Sequence, residues 1–148
     1  MDKRQQLMSE LMDLCNEIVW INKPELELAL NGYTLNEIEL IENISLIPSA
    51  NATKLAAASY MTRGAISKLT KKLIGKNIIE SYQDAKNKKE IYFRLTTKGQ
   101  KVNDVHQELH RSFLDRDKEV FKNMTDEEFD TIFRFIGRYR HHLKKITD

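Results

Sequence analysis

Apolar residues recur along the first twenty positions at helical spacing. Leu7, Leu11, Leu14, Ile18 and Ile21 are separated by four, three, four and three residues, so they form one stripe on a helix of about five turns. Lys23-Pro24 predicts its end or a kink, because the residue before a proline disfavours helical geometry. Leu26, Leu28 and Leu30 lead to a turn at Asn31-Gly32. Thr34 with Glu37 three residues on fits a capping box, and Ile38, Leu40, Ile41 and Ile44 continue as a helix that Pro48 closes. A short Ala-rich helix, Ala52 to Ala58, takes Asn51 or Ser49 as its cap. Ser59-Tyr60-Met61 makes a tight turn. Thr62 then caps a helix from Arg63 to Lys76 whose buried stripe is Ile66, Leu69, Thr70 and Leu73. Asn77 follows, a residue that tolerates the left-handed conformation at a helix end.

The period then shortens. Ile78 to Tyr82 and Glu90 to Leu95 are rich in β-branched and aromatic residues and flank the polar run Gln83-Asp84-Ala85-Lys86-Asn87-Lys88-Lys89. This pattern predicts a β-hairpin of two short strands. Thr96-Thr97-Lys98-Gly99 opens a further helix towards Asp117. Thr125 and Glu128 make a second capping box, and the last helix carries Phe129, Ile132, Phe133, Ile136, Tyr139, Leu143 and Ile146. The expected class is mainly α with one small β-hairpin, in a chain whose 148 residues suit a single domain.

Charge changes the picture most in the middle of the chain. Residues 62–101 hold eleven Lys or Arg against three acids, a local charge of +8, while residues 1–61 carry −5 and residues 102–148 carry −1, for a net +2. The basic stretch coincides with the helix-turn-helix-hairpin pattern. In such an arrangement the second helix enters the major groove and its first turns meet the base edges. With Ile66 at the centre of the buried face, Gly64, Ser67, Lys68, Lys71 and Lys72 fall on the opposite half, with Arg63 at its edge. Gly64 removes bulk at the closest approach. Ser67 and Thr62 offer small polar groups, and Lys68, Lys71 and Lys72 suit phosphates. Arg63 suits bidentate readout of guanine. Lys86, Lys88 and Lys89 at the hairpin tip suit the neighbouring backbone or the minor groove. The expected partner is therefore double-stranded DNA.

The quoted motifs resemble the MarR family of bacterial transcriptional regulators. Lys54-Leu55-Ala56 looks like one family helix, and Leu73-Ile74-Gly75-Lys76-Asn77-Ile78-Ile79 like the end of its recognition helix. Asp84-x-x-Asn87-Lys88-Lys89 followed by Leu95-Thr96-x-x-Gly99 looks like the family's wing signature. Asn87 stands where the family places Asp, Lys89 where it places Arg, and Asn77 where it places Gly. Lysine lacks arginine's planar fork, so Lys89 is expected on phosphate, and the usual Asp–Arg pairing of the wing is in doubt. The resemblance implies a winged helix-turn-helix lobe over residues 34–99, with residues 1–31 and 102–148 forming dimerisation helices. It also implies an obligate homodimer, a repressor role and a small-molecule effector. A two-fold dimer predicts a pseudo-palindromic operator.

Three sensing chemistries have candidate residues. Tyr33, Trp20, Tyr60 and Met61 are placed to line an effector site, with ordinary core as their default. Cys15, the single cysteine, excludes an internal disulfide and reads as a buried structural thiol, with redox sensing as its alternative. His106 and His110 lie four apart, a spacing that binds zinc with a further ligand such as Glu39 or Glu42; solvated surface histidines are the default, as they are for His141-His142. No catalytic residues, cofactor or metal are expected. The chain has no Gly-rich phosphate loop, two-Cys metal motif or nucleophile elbow. No apolar run approaches a membrane span, and the cytoplasm is the expected compartment. The rival of another class is a helical dimer that binds an acidic protein through the same basic face.

Overall fold

The computed structural model describes residues 2–147. Seven helices and one hairpin follow in the order α1 (Lys3–Ala29), α2 (Leu35–Leu46), α3 (Ala52–Ser59), α4 (Arg63–Gly75), β1 (Ile79–Asp84), β2 (Asn87–Leu95), α5 (Thr97–Arg116), α6 (Lys118–Phe121) and α7 (Asp126–Thr147). The chain forms two compact units, residues 1–111 and residues 112–148, and α5 runs from one into the other.

Pro24 does not end α1, which runs on to Ala29. An interior proline loses its own N–H bond and crowds the carbonyl four residues back, yet beyond it the ladder resumes, with the Leu30 N–H donating to the Leu26 carbonyl at 2.9 Å. The turn then uses Gly32 at φ +92°, a conformation open to glycine. Thr34 caps α2 through a complete capping box with Glu37. Asn51, not Ser49, caps α3. Ser49 instead bends the chain at φ 50°, and Lys54 braces that bend by donating to the carbonyls of Pro48 and Ser49. Tyr60 takes the left-handed conformation at φ 54° and reverses the chain into Thr62, whose hydroxyl accepts the Ala65 N–H.

α4 ends as its sequence predicts. Asn77 sits at φ 62°, its N–H donates to the Ile74 carbonyl, and the Ile78 N–H donates to the Leu73 carbonyl. This is a Schellman motif with Asn in the glycine position, closed by buried Ile78. One core then binds the lobe together. It is built from Leu40, Ile41 and Ile44 of α2, Ala50, Leu55 of α3, Ile66 and Leu73 of α4, and Ile78 and Ile79 leading into β1. The antiparallel hairpin docks on it through the Phe93 N–H, which donates to the Ala50 carbonyl, and through a bridge between Asn51 and Tyr92.

The hairpin is longer and tighter than its sequence predicts. Only Ala85 and Lys86 form the turn, and Asp84 pairs with Asn87. The expected polar loop becomes strand because its own side chains satisfy its backbone. Asp84 accepts the Lys86 N–H, Asn87 accepts the Lys89 N–H, and Gln83 donates to the Lys88 carbonyl.

α1 buries no residue in the chain. Its expected apolar stripe is half-buried at Leu11, while Leu7, Leu14, Ile18 and Ile21 stand exposed. Cys15 is likewise exposed, contrary to a buried structural thiol, on a helix that buries none of its described residues. In the second unit Phe121, Phe129 and Phe133 stack in sequence, yet Ile132, Phe133, Ile136 and Leu143 of α7 remain exposed.

Candidate nucleic-acid interface

The exposed half of α4 begins at its cap. Thr62, Arg63, Gly64, Ser67, Lys68, Lys71 and Lys72 are all exposed, while Ile66, Thr70 and Leu73 on the other half are buried. Hydrophobic docking of one stripe therefore fixes which residues face outward. No ion pair forms at Arg63, Lys68 or Lys71 among the described residues, so their charges are available to a partner. Lys72 differs. Its ammonium lies 3.9 Å from the Glu37 carboxylate.

On the wing, Lys86 sits at the turn, whereas Lys88 and Lys89 lie on β2 and not at the tip. All three are exposed, and no ion pair between Lys89 and Asp84 is found among the described residues. The wing is stiffened by the side-chain to backbone bonds of Asp84, Asn87 and Gln83 instead. Tyr82 and Tyr92 stack across the strands at 5.5 Å, and Arg94 bonds Glu80 at 2.8 Å while covering the Tyr82 ring.

A MarR-family model matches residues 33–91, from the turn before α2 into β2. The HTH-type transcriptional regulator YvnA of Bacillus subtilis is 28% identical over 111 residues, covering 75% of this chain and 71% of its own length. Among solved structures, Streptococcus pneumoniae FabT in complex with DNA superposes with a TM-score of 0.82 at 17% identity, over 97% of this chain and 99% of that one. Staphylococcus aureus MarR in complex with salicylate and kanamycin gives a TM-score of 0.77 at 14% identity, over 96% and 93%. Over residues 33–91, the helix-turn-helix and most of the wing, the chain is thus similar to the MarR family.

The basic stretch divides between cations that serve the fold and cations that face outward. Three of the eleven cations serve the fold. Lys98 donates to the Lys76 carbonyl at the end of α4, and Arg94 serves the wing. Lys76 donates to Glu37 at 2.9 Å and to the Gly32 carbonyl at 2.8 Å, with its ammonium over the Tyr33 ring. Glu37 is 1% exposed. Burial raises its carboxyl's pKa and is the largest single effect. The Lys76 hydrogen bond, the Thr34 N–H and the Lys76 charge together outweigh it and hold Glu37 below the ordinary carboxylate value. Sequence reading gave Glu37 only its capping role. The signal it missed lies 39 residues away in Lys76 and becomes visible only once α4 packs against the start of α2.

Gly99 of the wing signature also has a local reason. A Cβ there would lie 2.0 Å from the Ile78 carbonyl oxygen. Thr96 holds the two segments at that approach by donating to the Asn77 and Ile78 carbonyls and accepting the Gly99 N–H.

Beside α2 lies a cavity of about 770 Å³. Tyr33 and Tyr60 line it, together with Glu39, Glu42, His106 and His110. Trp20 and Tyr60 are not core, at 75% and 88% exposed, and Met61 packs against the core of the lobe. His106 is not a surface histidine. It is 2% exposed, and its Nε2 lies 2.7 Å from Nε2 of His110. The helical spacing of four brings the two Nε2 atoms together, while the buried Nδ1 of His106 finds no hydrogen-bond partner among the described residues. No group of three or more metal-ligating side chains occurs among the described residues. His141 and His142 are exposed, as expected of a surface pair.

Proposed function

We propose that the chain is a homodimeric, ligand-responsive repressor that binds a pseudo-palindromic operator, reading bases with Arg63 and phosphates with Lys68, Lys71 and the wing lysines Lys86, Lys88 and Lys89, while Lys72 is held back by Glu37. The observation that carries this reading is the outward face of α4. It is small at Gly64, cationic beyond it, and its cations Arg63, Lys68 and Lys71 are unengaged within the described chain. The shared fold with FabT, itself solved in complex with DNA, supports the same assignment.

Self-association is favoured by α1, which leaves Leu7, Leu14, Ile18 and Ile21 exposed, and by the uncovered apolar face of α7. Contiguous apolar faces of this kind mark interaction surfaces. The residue spans 1–31 and 102–148 are the dimerisation segments in this reading. The cavity beside α2 supports a small-molecule effector, as does the salicylate-bound Staphylococcus aureus relative of the same fold. No helix among the described residues is long and apolar enough to cross a membrane, and a role on DNA places the protein in the cytoplasm. No enzymatic step enters the reading.

Selection of bound fragments from sheared genomic DNA, followed by footprinting, tests it. The expected result is an inverted repeat whose half-sites lie about one helical turn apart. Equal protection of all sequences would contradict it.

A further inference from the structure

We propose that Glu37 is a positioning residue for DNA recognition. Its buried carboxylate anchors the C-terminal end of α4 through Lys76 and restrains Lys72 from acting as an additional phosphate contact. The proposal rests on α4 being the helix that reads DNA.

A carboxylate withdrawn from water must be paired and hydrogen-bonded, and Glu37 is supplied on both oxygens. Oε1 accepts the Thr34 N–H at 3.1 Å and has the Lys72 ammonium at 3.9 Å, while Oε2 accepts from Lys76 at 2.9 Å. The Lys76 ammonium also donates to Gly32, and its own carbonyl accepts from Lys98. One residue at the end of α4 thus ties together the α1–α2 turn, the first turn of α2 and the first turn of α5. Among the described residues, the reading end of α4 is held by the Thr62 cap and its buried stripe. The register of Arg63 against a base edge therefore depends on the anchored far end.

Lys72 lies one turn before Lys76 on the outward half of the helix. Glu37 draws on its charge from behind. Removing that carboxylate frees one cation per protomer for sequence-independent attraction and at the same time releases the anchor. The two effects have opposite signs on random and selected DNA, which separates positioning from simple loss of structure.

Glu37→Gln keeps the capping box, which accepts Glu or Gln at this position, and removes the charge. The probes are a duplex selected from a random pool by the wild-type protein and a random duplex of equal length, each titrated with salt. The variant should melt cooperatively and bind the random duplex more tightly, with a log–log salt slope steeper by about 0.9 for each phosphate gained. Its preference for the selected duplex should fall about tenfold. Adding Lys72→Gln should restore the wild-type slope without restoring the preference. Should Glu37→Gln lose its cooperative melt, Lys76→Met tests the same anchor and should lose preference at unchanged slope. Equal weakening on both duplexes, an unchanged preference, or a slope insensitive to Lys72→Gln overturns the role of Glu37 alone. Wild-type protein that shows no salt-dependent DNA binding removes the reading of α4 and, with it, the premise.

Discussion

At Gly99 an added Cβ would meet a backbone oxygen at 2.0 Å, whereas at Gly64 the nearest atom is Thr62 Oγ1 at 3.9 Å. The same residue type therefore serves the fold at one position and leaves an outward surface bare at the other. Gly99→Ala must displace the Ile78 backbone and is expected to destabilise by about 1–3 kcal/mol or more in urea unfolding. Gly64→Ala should leave stability unchanged or raise it by up to about 1 kcal/mol, while weakening DNA binding where the helix enters the groove. A Gly64→Ala protein that binds DNA like wild type would place the groove contact elsewhere.

His106 makes a further prediction at this scale. Burial is the main cause of its lowered pKa, a charge on His110 adds to it, and Glu42 opposes it; together they hold His106 below the ordinary imidazole value of 6.5. The unfolded chain therefore binds the proton more readily than the folded one. The stability contributed by neutral His106 is present above about pH 6.5 and is lost as pH falls through the lower folded value. Urea unfolding at stepped pH should show this decline, and His106→Gln should flatten it. The spacing of His106 and His110 was legible in the sequence, but the burial of one ring was not, because it depends on which face of α5 meets the lobe.

Among the elements, local chemistry made the helix boundaries readable. The capping boxes at Thr34 and Thr125 form as written, with Glu128 accepting the Thr125 N–H, and Asn77 takes its left-handed place. The hairpin was legible in kind but not in extent. Its polar run was read as loop because Asp and Asn favour turns, yet here their side chains bond backbone two residues ahead and let the strands continue to a two-residue turn. Lys88 and Lys89 thereby move onto β2. Charge counting took Lys76 into the basic stretch with the other cations, because a sum over sequence cannot see a buried carboxylate on another helix. For the reading elements themselves, Arg63→Ala is expected to cost about 1–3 kcal/mol on the operator and to relax its preference. Lys88→Ala and Lys89→Ala should weaken binding to all sequences alike. Parallel measurements on selected and random duplexes distinguish the two patterns, and wing variants that bind like wild type would detach the wing from DNA.

At the scale of the whole molecule, α1 poses the main structural question. Its apolar positions obey helical periodicity, yet among the described residues Leu7, Leu14, Ile18 and Ile21 stay exposed, with Trp20 and Cys15 exposed beside them. Periodicity reveals that a face is apolar but not whether the cover comes from the same chain. Ile18→Glu places a charge on that face and is expected to yield monomers in analytical ultracentrifugation. Operator affinity should then fall by about a hundredfold or more, as one half-site replaces two. A variant that remains dimeric would remove α1 from the interface.

In this reading the unengaged cations of α4 meet DNA phosphates. That contact is tested most directly by titrating operator binding against salt for wild type, Lys68→Ala and Lys71→Ala. The predicted result is a linear fall of log affinity with log salt, by about 0.9 for each phosphate neutralised, with each variant shallower by about one unit. Affinity indifferent to salt, or variants with the wild-type slope, would contradict it.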